Sequence, residues 1–74
     1  MNNQHYIQTL CENIRKLRHQ NDLSIEEMAA RLNISEEMLT TLENGRLPDD
    51  LEVESLVRIE KEFGISLKEL FLPL

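Results

Sequence analysis

Apolar residues recur at helical spacing over most of this chain. The first stripe has gaps of three, four and three residues and predicts a helix from about residue 7 to residue 20; its members are Ile7, Leu10, Ile14 and Leu17. The dipeptide Asn21-Asp22 then interrupts the pattern, as expected at the end of a helix.

Capping signals predict two short helices next. Ser24 and Glu27 form a Ser-x-x-Glu capping box, which predicts a second helix from Ser24 to about Leu32, with Asn33 in the left-handed turn behind it. Ser35 is expected to cap a third helix that runs to about residue 43, where Asn-Gly ends it. Two short helices joined by a tight turn are the layout of a helix-turn-helix.

The same reasoning predicts two further helices. Asp49 and Glu52 match a capping box, so a fourth helix should begin between residues 50 and 53 and stop at Gly64. Ser66 and Glu69 form another box, opening a short fifth helix that ends near residue 71. We therefore expect an all-α fold, a compact five-helix single domain over residues 1–74 with its core at about 7–71.

The buried surface should come from one face of each helix. Beyond the first helix, its expected members are Ile25, Met28, Ala29, Leu32, Met38, Leu39, Leu42, Val53, Leu56, Val57, Ile59, Phe63, Leu67, Leu70 and Phe71. Leu72 and Leu74 are left outside, and exposed apolar residues at the edge of a fold suggest an interface, so we expect a homodimer through the apolar C-terminal residues.

Length and charge narrow the function. The chain has 74 residues and a net charge of −6, with seven acidic and five basic residues up to position 46 and seven acidic and three basic residues after it. Cys11 is the single cysteine, which excludes an intramolecular disulfide and a cysteine-based zinc site. The polar N-terminus and the lack of a long apolar run predict neither a signal peptide nor a membrane span, so a cytoplasmic protein is expected.

Several segments in this order and spacing resemble the lambda-repressor-like, XRE-type helix-turn-helix domain. They are Asn13–Arg18, Leu23–Leu32, Ile34-Ser35, Leu42–Gly45 and Phe63–Phe71. The resemblance implies a five-helix fold, binding to double-stranded DNA and, often, dimerisation.

Position by position, the resemblance makes the third helix the recognition helix. The candidates for contact with base edges are Ser35, Glu36, Glu37, Thr40 and Thr41. The candidates for contact with the DNA backbone are Asn44, Gly45 and Arg46 in the following loop, together with the cations Arg15, Lys16 and Arg31. The resemblance also implies a structural ion pair between Arg18 and Glu43.

The acidic residues leave the function open between two classes. Glu36 and Glu37 have three possible roles. They stabilise the N-terminus of the helix through its dipole, accept a hydrogen bond from a cytosine amino group, or contact a protein partner. Thr40 and Thr41 are either base contacts or neutral surface residues. Ile25 stands where the family usually has a polar residue that meets the DNA backbone, and no Arg, Lys, Gln or Asn lies between Ser35 and Glu43.

We therefore expect a small transcriptional regulator, a repressor, that reads the major groove with its third helix. The alternative is a protein-interaction module that keeps the fold and has lost DNA binding. His5, His19 and Cys11 stand outside any catalytic motif, and there is no phosphate loop or metal-ligand spacing, so neither an enzyme nor a cofactor is expected.

Overall fold

The computed structural model describes residues 4–74 of the chain. Along that range the chain forms five helices: α1 Gln4–Gln20, α2 Ile25–Leu32, α3 Glu36–Glu43, α4 Val53–Phe63 and α5 Leu67–Leu70. The all-helical prediction is confirmed. Residues 1–3, which belong to the polar N-terminus used above, lie outside the described residues. Within residues 4–74, no helix is both long and apolar enough to cross a membrane.

Helix α1 is longer than the periodicity predicts. It begins at Gln4 instead of about Ile7, so the predicted start is wrong by three residues. In this added turn the hydroxyl of the buried Thr9 donates to the carbonyl of His5 at 3.0 Å. Apolar periodicity cannot detect this turn, since its residues are polar or exposed.

The capping predictions are confirmed for α2 and α5. Ser24 accepts from the backbone N–H of Glu27 at 3.0 Å, and the Glu27 carboxylate accepts from the N–H of Ser24 at 2.9 Å. Ser66 and Glu69 form the same reciprocal pair at the start of α5. Asn33 and Gly64 take left-handed conformations at the ends of α2 and α4, as expected.

The start of α4 lies inside the predicted window, but its predicted cap is absent. The helix begins at Val53 with Glu52 as its cap residue, and no side chain caps it. The predicted box between Asp49 and Glu52 is therefore wrong. Asp49 lies instead in a turn closed by the hydrogen bond from the Leu51 N–H to the carbonyl of Pro48 at 3.2 Å.

The apolar periodicity also predicts the wrong burial for Val53. It was expected on the buried side of α4, but it is 71% exposed. Ser55 takes the buried position of the first turn, and two residues span more than half a helical turn, so Val53 faces outward.

A single apolar cluster joins the helices. Helix α3 packs on α1 and α2, α4 packs on α2, and α5 packs on both α1 and α4. The buried apolar residues are Leu10, Cys11, Ile14, Leu17, Leu23, Met28, Ala29, Leu32, Leu39, Leu42, Ile59 and Leu70. Ile7, Ile25, Leu56, Phe63, Leu67 and Phe71 are partly buried against this cluster. Leu72 and Leu74 remain exposed, as predicted.

The side chain of Asn13 ties α1 to the C-terminal segment. It is fully buried, and its amide nitrogen donates to the carbonyls of Leu70 and Leu72, each at 2.7 Å. We call this pair of hydrogen bonds the Asn13 contact. It satisfies an orphan carbonyl at the end of α5 and fixes the tail against α1.

Candidate nucleic-acid interface

The N-terminus of α3 carries most of the residues predicted to contact bases. The Ser35 hydroxyl accepts from the backbone N–H of Met38 at 3.0 Å, so Ser35 is the cap residue and the helix proper begins at Glu36. Ser35, Glu36, Glu37 and Thr40 are exposed. The hydroxyl proton of Ser35 is not used in the cap and can be donated outward.

The side chain of Thr41 can offer DNA fewer hydrogen bonds than a free threonine side chain. Its hydroxyl donates to the carbonyl of Glu37 at 3.0 Å, so its proton is committed to the helix backbone. What remains is the acceptor capacity of the oxygen and the methyl group. Those features suit an adenine or cytosine amino group and a thymine methyl, respectively.

The end of α3 is a Schellman turn. Gly45 has a φ of +88°, its N–H donates to Leu42 at 2.9 Å, and the N–H of Arg46 donates to Thr41 at 3.1 Å. The backbone N–H groups of Gly45 and Arg46 are therefore engaged inside the turn. The side chains of Asn44 and Arg46, both in exposed residues, are the parts of this loop left to meet a phosphate.

The cationic candidates do not form one cluster. Arg15 lines a surface groove of about 240 Å³ together with Asn44 and Gly45, so α1 and the loop after α3 meet there. Glu12 and Glu43 line the same groove. Lys16 and His19 lie beside Arg15 along the exposed side of α1.

Arg31 stands apart from this groove. Its guanidinium lies 3.9 Å from the carboxylate of Glu62 on α4, and both side chains are partly exposed. Such a surface pair contributes little to stability. Arg31 is thus drawn towards α4, away from Arg15 and Asn44.

The predicted contact between Arg18 and Glu43 is present. Two guanidinium nitrogens of Arg18 donate to the two carboxylate oxygens of Glu43 at 2.8 and 3.0 Å, and a third donates to the carbonyl of Leu23 at 3.1 Å. The side chains are only 15% and 8% exposed. The hydrogen bond to Glu43 raises the pKa of Arg18, so the guanidinium stays charged. This Arg18 contact holds the end of α3 against the end of α1.

A second groove, of about 430 Å³, lies on the other side of α3. Ser35, Glu37, Met38 and Thr41 line one wall, and Pro48, Asp49 and Asp50 line the other. Three carboxylates and no cation line this groove. We call it the acidic groove. Met38, expected on the inner face of α3, is only half-buried and faces this groove.

The sequence does not predict that Asp49 and Asp50 form the far wall of the acidic groove. Asp49 was interpreted as a helix cap, whereas it belongs to a turn that folds back beside α3. The Pro-Asp-Asp run after Gly45 signals a turn, but its position relative to α3 depends on the tertiary fold.

Cys11 has the surroundings of a packed thiol. It is buried in the core, and burial, followed by the neighbouring Glu12, raises the pKa of the thiol, which disfavours the reactive thiolate. Across residues 4–74, no three His, Cys, Asp or Glu side chains are grouped to hold a metal ion.

A comparison with protein families decides the assignment of the fold. The sequence model described as helix-turn-helix matches residues 14–70, which span the C-terminal part of α1 and all of α2, α3, α4 and α5. The chain belongs to the XRE-type, lambda-repressor-like helix-turn-helix family. This family comprises DNA-binding regulatory domains. Neither the curated proteins nor the solved structures that were compared gave a match to the chain.

Membership of this family identifies the helices that form the motif. Within this helix-turn-helix, α2 and α3 are the paired helices. The exposed surface of α3 lies between the groove that contains Arg15 and the acidic groove.

Proposed function

We propose that this helix-turn-helix protein is a transcriptional regulator that binds double-stranded DNA with α3 in the major groove and represses by occupying a promoter. The observation that carries the proposal is the exposure of the polar surface of a well-capped α3 beside a groove shared by Arg15 and Asn44. A recognition helix needs that presentation to reach base edges.

In this proposal the side chains divide into two groups. Ser35, Glu36, Glu37, Thr40 and Thr41 face the bases, while Arg15, Lys16, Asn44 and Arg46 meet phosphates on the flanking backbone. Gly45 shapes the turn that aims Arg46, and Arg31 has the weakest case because its guanidinium lies beside the carboxylate of Glu62.

The test is fluorescence anisotropy with labelled random-sequence duplex DNA at low and at physiological salt. We expect binding that weakens steeply with salt, because phosphate contacts release counterions. Arg46→Ala should lower the slope of log K against log salt by about one, as loss of one phosphate contact requires. Lys68→Ala, which removes an equal charge on α5, is the matched control and should leave the slope close to that of the wild type.

Sequence preference needs a separate variant. Thr41→Ala should alter the sites recovered from a random pool while retaining most of the affinity for random DNA, because base contacts specify and phosphate contacts position. Absence of binding at low salt by protein shown to be folded would contradict DNA binding.

We further propose a homodimer through the exposed Leu72 and Leu74. A twofold pair would set two copies of α3 about 34 Å apart, one turn of DNA. Light scattering coupled to size exclusion should give twice the chain mass, and Leu72→Ser with Leu74→Ser should return the monomer. A strict monomer at high concentration would contradict the dimer.

The acidic groove favours a second candidate function, a protein-interaction module without DNA binding. Glu37 on α3 faces Asp49 and Asp50 across this groove, and a polyanion is repelled by such a surface. Under this alternative the DNA titration fails at every salt concentration, while a protein partner binds the same face.

A further inference from the structure

An apolar groove adjoins the acidic groove. It has a volume of about 240 Å³, and its lining is contributed by α1, the α3–α4 connection, the start of α4 and the segment after α5. The side chains that matter below are Leu47, Pro48, Glu52, Val53 and Leu56. Leu47 is 42% exposed, and Val53, as noted, is largely exposed. The apolar groove therefore ends in an apolar rim that is open to solvent.

The two grooves are parts of one surface. Pro48 lines both of them, so the segment from Leu47 to Val53 forms a ridge with the acidic groove on one side and the apolar groove on the other. We call this the 47–53 ridge.

The charge around the ridge has one sign. Asp49, Asp50, Glu52 and Glu54 lie between Arg46 and Arg58, and no Lys or Arg occurs within that interval. Glu52 lines the apolar groove, and its carboxylate does not cap α4. An apolar groove with acidic neighbours fits an occupant that combines apolar side chains with positive charge.

A second copy of this chain is a poor occupant. A twofold interface applies the same patch to itself, so these carboxylates would face their own equivalents. Like charges set against each other across an interface disfavour association. The same carboxylates disfavour phosphate groups at the wall that Asp49 and Asp50 form.

We propose that the 47–53 ridge docks a cationic amphipathic segment of a partner protein. Apolar side chains of the segment enter the apolar groove, and its Lys or Arg side chains reach across Pro48 to Asp49, Asp50 and Glu37. This is the mode in which an amphipathic helix lays its apolar face in a groove.

Docking there has a consequence for α3. The acidic groove is also lined by Ser35 and Thr41, so a bound segment covers part of the surface that the proposed DNA function requires. Partner and DNA then exclude each other. This consequence rests on the proposed function, whereas docking itself does not.

The first experiment measures docking without DNA. The probe is a fluorescein-labelled synthetic peptide of about four helical turns, with leucine at i, i+3, i+4 and i+7 and lysine on the opposite face. A scrambled peptide of equal composition and a version with glutamate in place of lysine are the peptide controls. We expect saturable binding of the amphipathic cationic peptide and at least tenfold weaker binding of both controls.

Protein variants locate the site. Leu47→Ser should weaken binding about tenfold, because it removes exposed apolar surface from the apolar groove. Tyr6→Ser is the matched control, since Tyr6 is 48% exposed and does not line the groove. Asp50→Asn should weaken binding about threefold at low salt and less at high salt. Glu26→Gln, an equal loss of charge on the exposed side of α2, should change it less than twofold.

Three results would overturn the proposal: no binding of the amphipathic peptide to folded protein, equal binding of the scrambled peptide, or equal loss in the Leu47 and Tyr6 variants. A dimer that dissociates on Leu47→Ser would also overturn it, because the occupant would then be a second copy.

Competition distinguishes this proposal from DNA binding. If labelled DNA binds, unlabelled amphipathic peptide should displace it from the wild type and about tenfold less effectively from Leu47→Ser. A ternary complex would overturn mutual exclusion. Failure of DNA to bind leaves the peptide titration intact, so the two proposals fail separately.

Discussion

Helix α1 holds the rest of the molecule at two points that differ in chemistry. Near its end, Arg18 reaches Glu43 of α3 through charged, partly accessible groups. At its middle, Asn13 reaches the carbonyls of Leu70 and Leu72 through a neutral amide that is fully buried. The Arg18 contact positions α3, and the Asn13 contact positions the C-terminal segment that helps line the apolar groove. Two chemically different contacts on α1 therefore hold α3 and the opposite end of the fold.

The largest expected effect is on the Arg18 contact. Arg18→Ala strands the Glu43 carboxylate with little access to water, which should cost about 3 kcal/mol of unfolding free energy. Urea denaturation followed by circular dichroism measures it. Replacing both residues by methionine should cost less than Arg18→Ala alone, because no charge is then left unpaired. An unchanged denaturation midpoint in Arg18→Ala would remove the Arg18 contact from the account of stability.

The next effect concerns the Asn13 contact. Asn13→Ala loses two buried hydrogen bonds and leaves an unpaired carbonyl on Leu70, so it should cost about 2 kcal/mol. The loss should be the same at low and high salt, whereas the loss in Arg18→Ala should shrink as salt is added. Parallel salt dependence in the two variants would contradict the chemical difference between the contacts.

The cap of α3 is a local contact, and we expect its loss to change the free energy of unfolding less than the loss of either contact on α1. Ser35→Ala removes the acceptor for the Met38 N–H and should cost about 1 kcal/mol. Conversely, Glu52→Ser gives α4 a capping side chain that it lacks and should raise the unfolding free energy by about 0.5 kcal/mol. Thermal unfolding of both variants measures these two changes in stability. A rise in the stability of the Ser35→Ala variant would refute the capping role of Ser35.

The smallest effect depends on pH. Hydrogen bonds from the backbone N–H and then the side chain of Ser24 lower the pKa of Glu27 below its ordinary value. The stabilisation is therefore complete above the unfolded-state pKa and is lost as pH falls through the lower folded-state pKa. Glu27→Gln keeps the capping geometry without the charge, so the wild type should be slightly more stable at neutral pH and lose that advantage as the pH falls through the folded-state pKa of Glu27. A constant difference across that range would exclude the linkage.

The two contacts on α1 also show how much the sequence could predict. The existence of the five helices and the caps of α2, α3 and α5 could be predicted because each depends on local spacing, such as Ser24 with Glu27. The Arg18 contact joins two side chains of opposite charge, so the resemblance could name both partners. The Asn13 contact could not be predicted, because its acceptors are main-chain carbonyls, which every residue carries, 57 and 59 positions away.

The candidate site was predictable to a lesser extent. The polar surface of α3 follows from the helical spacing of Leu39 and Leu42 on its inner face, and its candidate residues stay predictions. The acidic groove did not follow from it, because Asp49 and Asp50 reach α3 through a turn whose direction depends on tertiary packing. Val53 illustrates the same limit, since periodicity gives the apolar residues of a helix but not how far its neighbours extend to cover them.

The Asn13 contact also bears on the order in which a growing chain can fold. Asn13 leaves the ribosome before its acceptors on Leu70 and Leu72, which follow it by 57 and 59 positions. Until then α1 lacks the partner for its buried amide, although Ser24, Ser35 and Glu43 are already available to build α2 and α3. Vectorial synthesis therefore allows the helix-turn-helix to assemble on α1 first and leaves the closure of the opposite end until last.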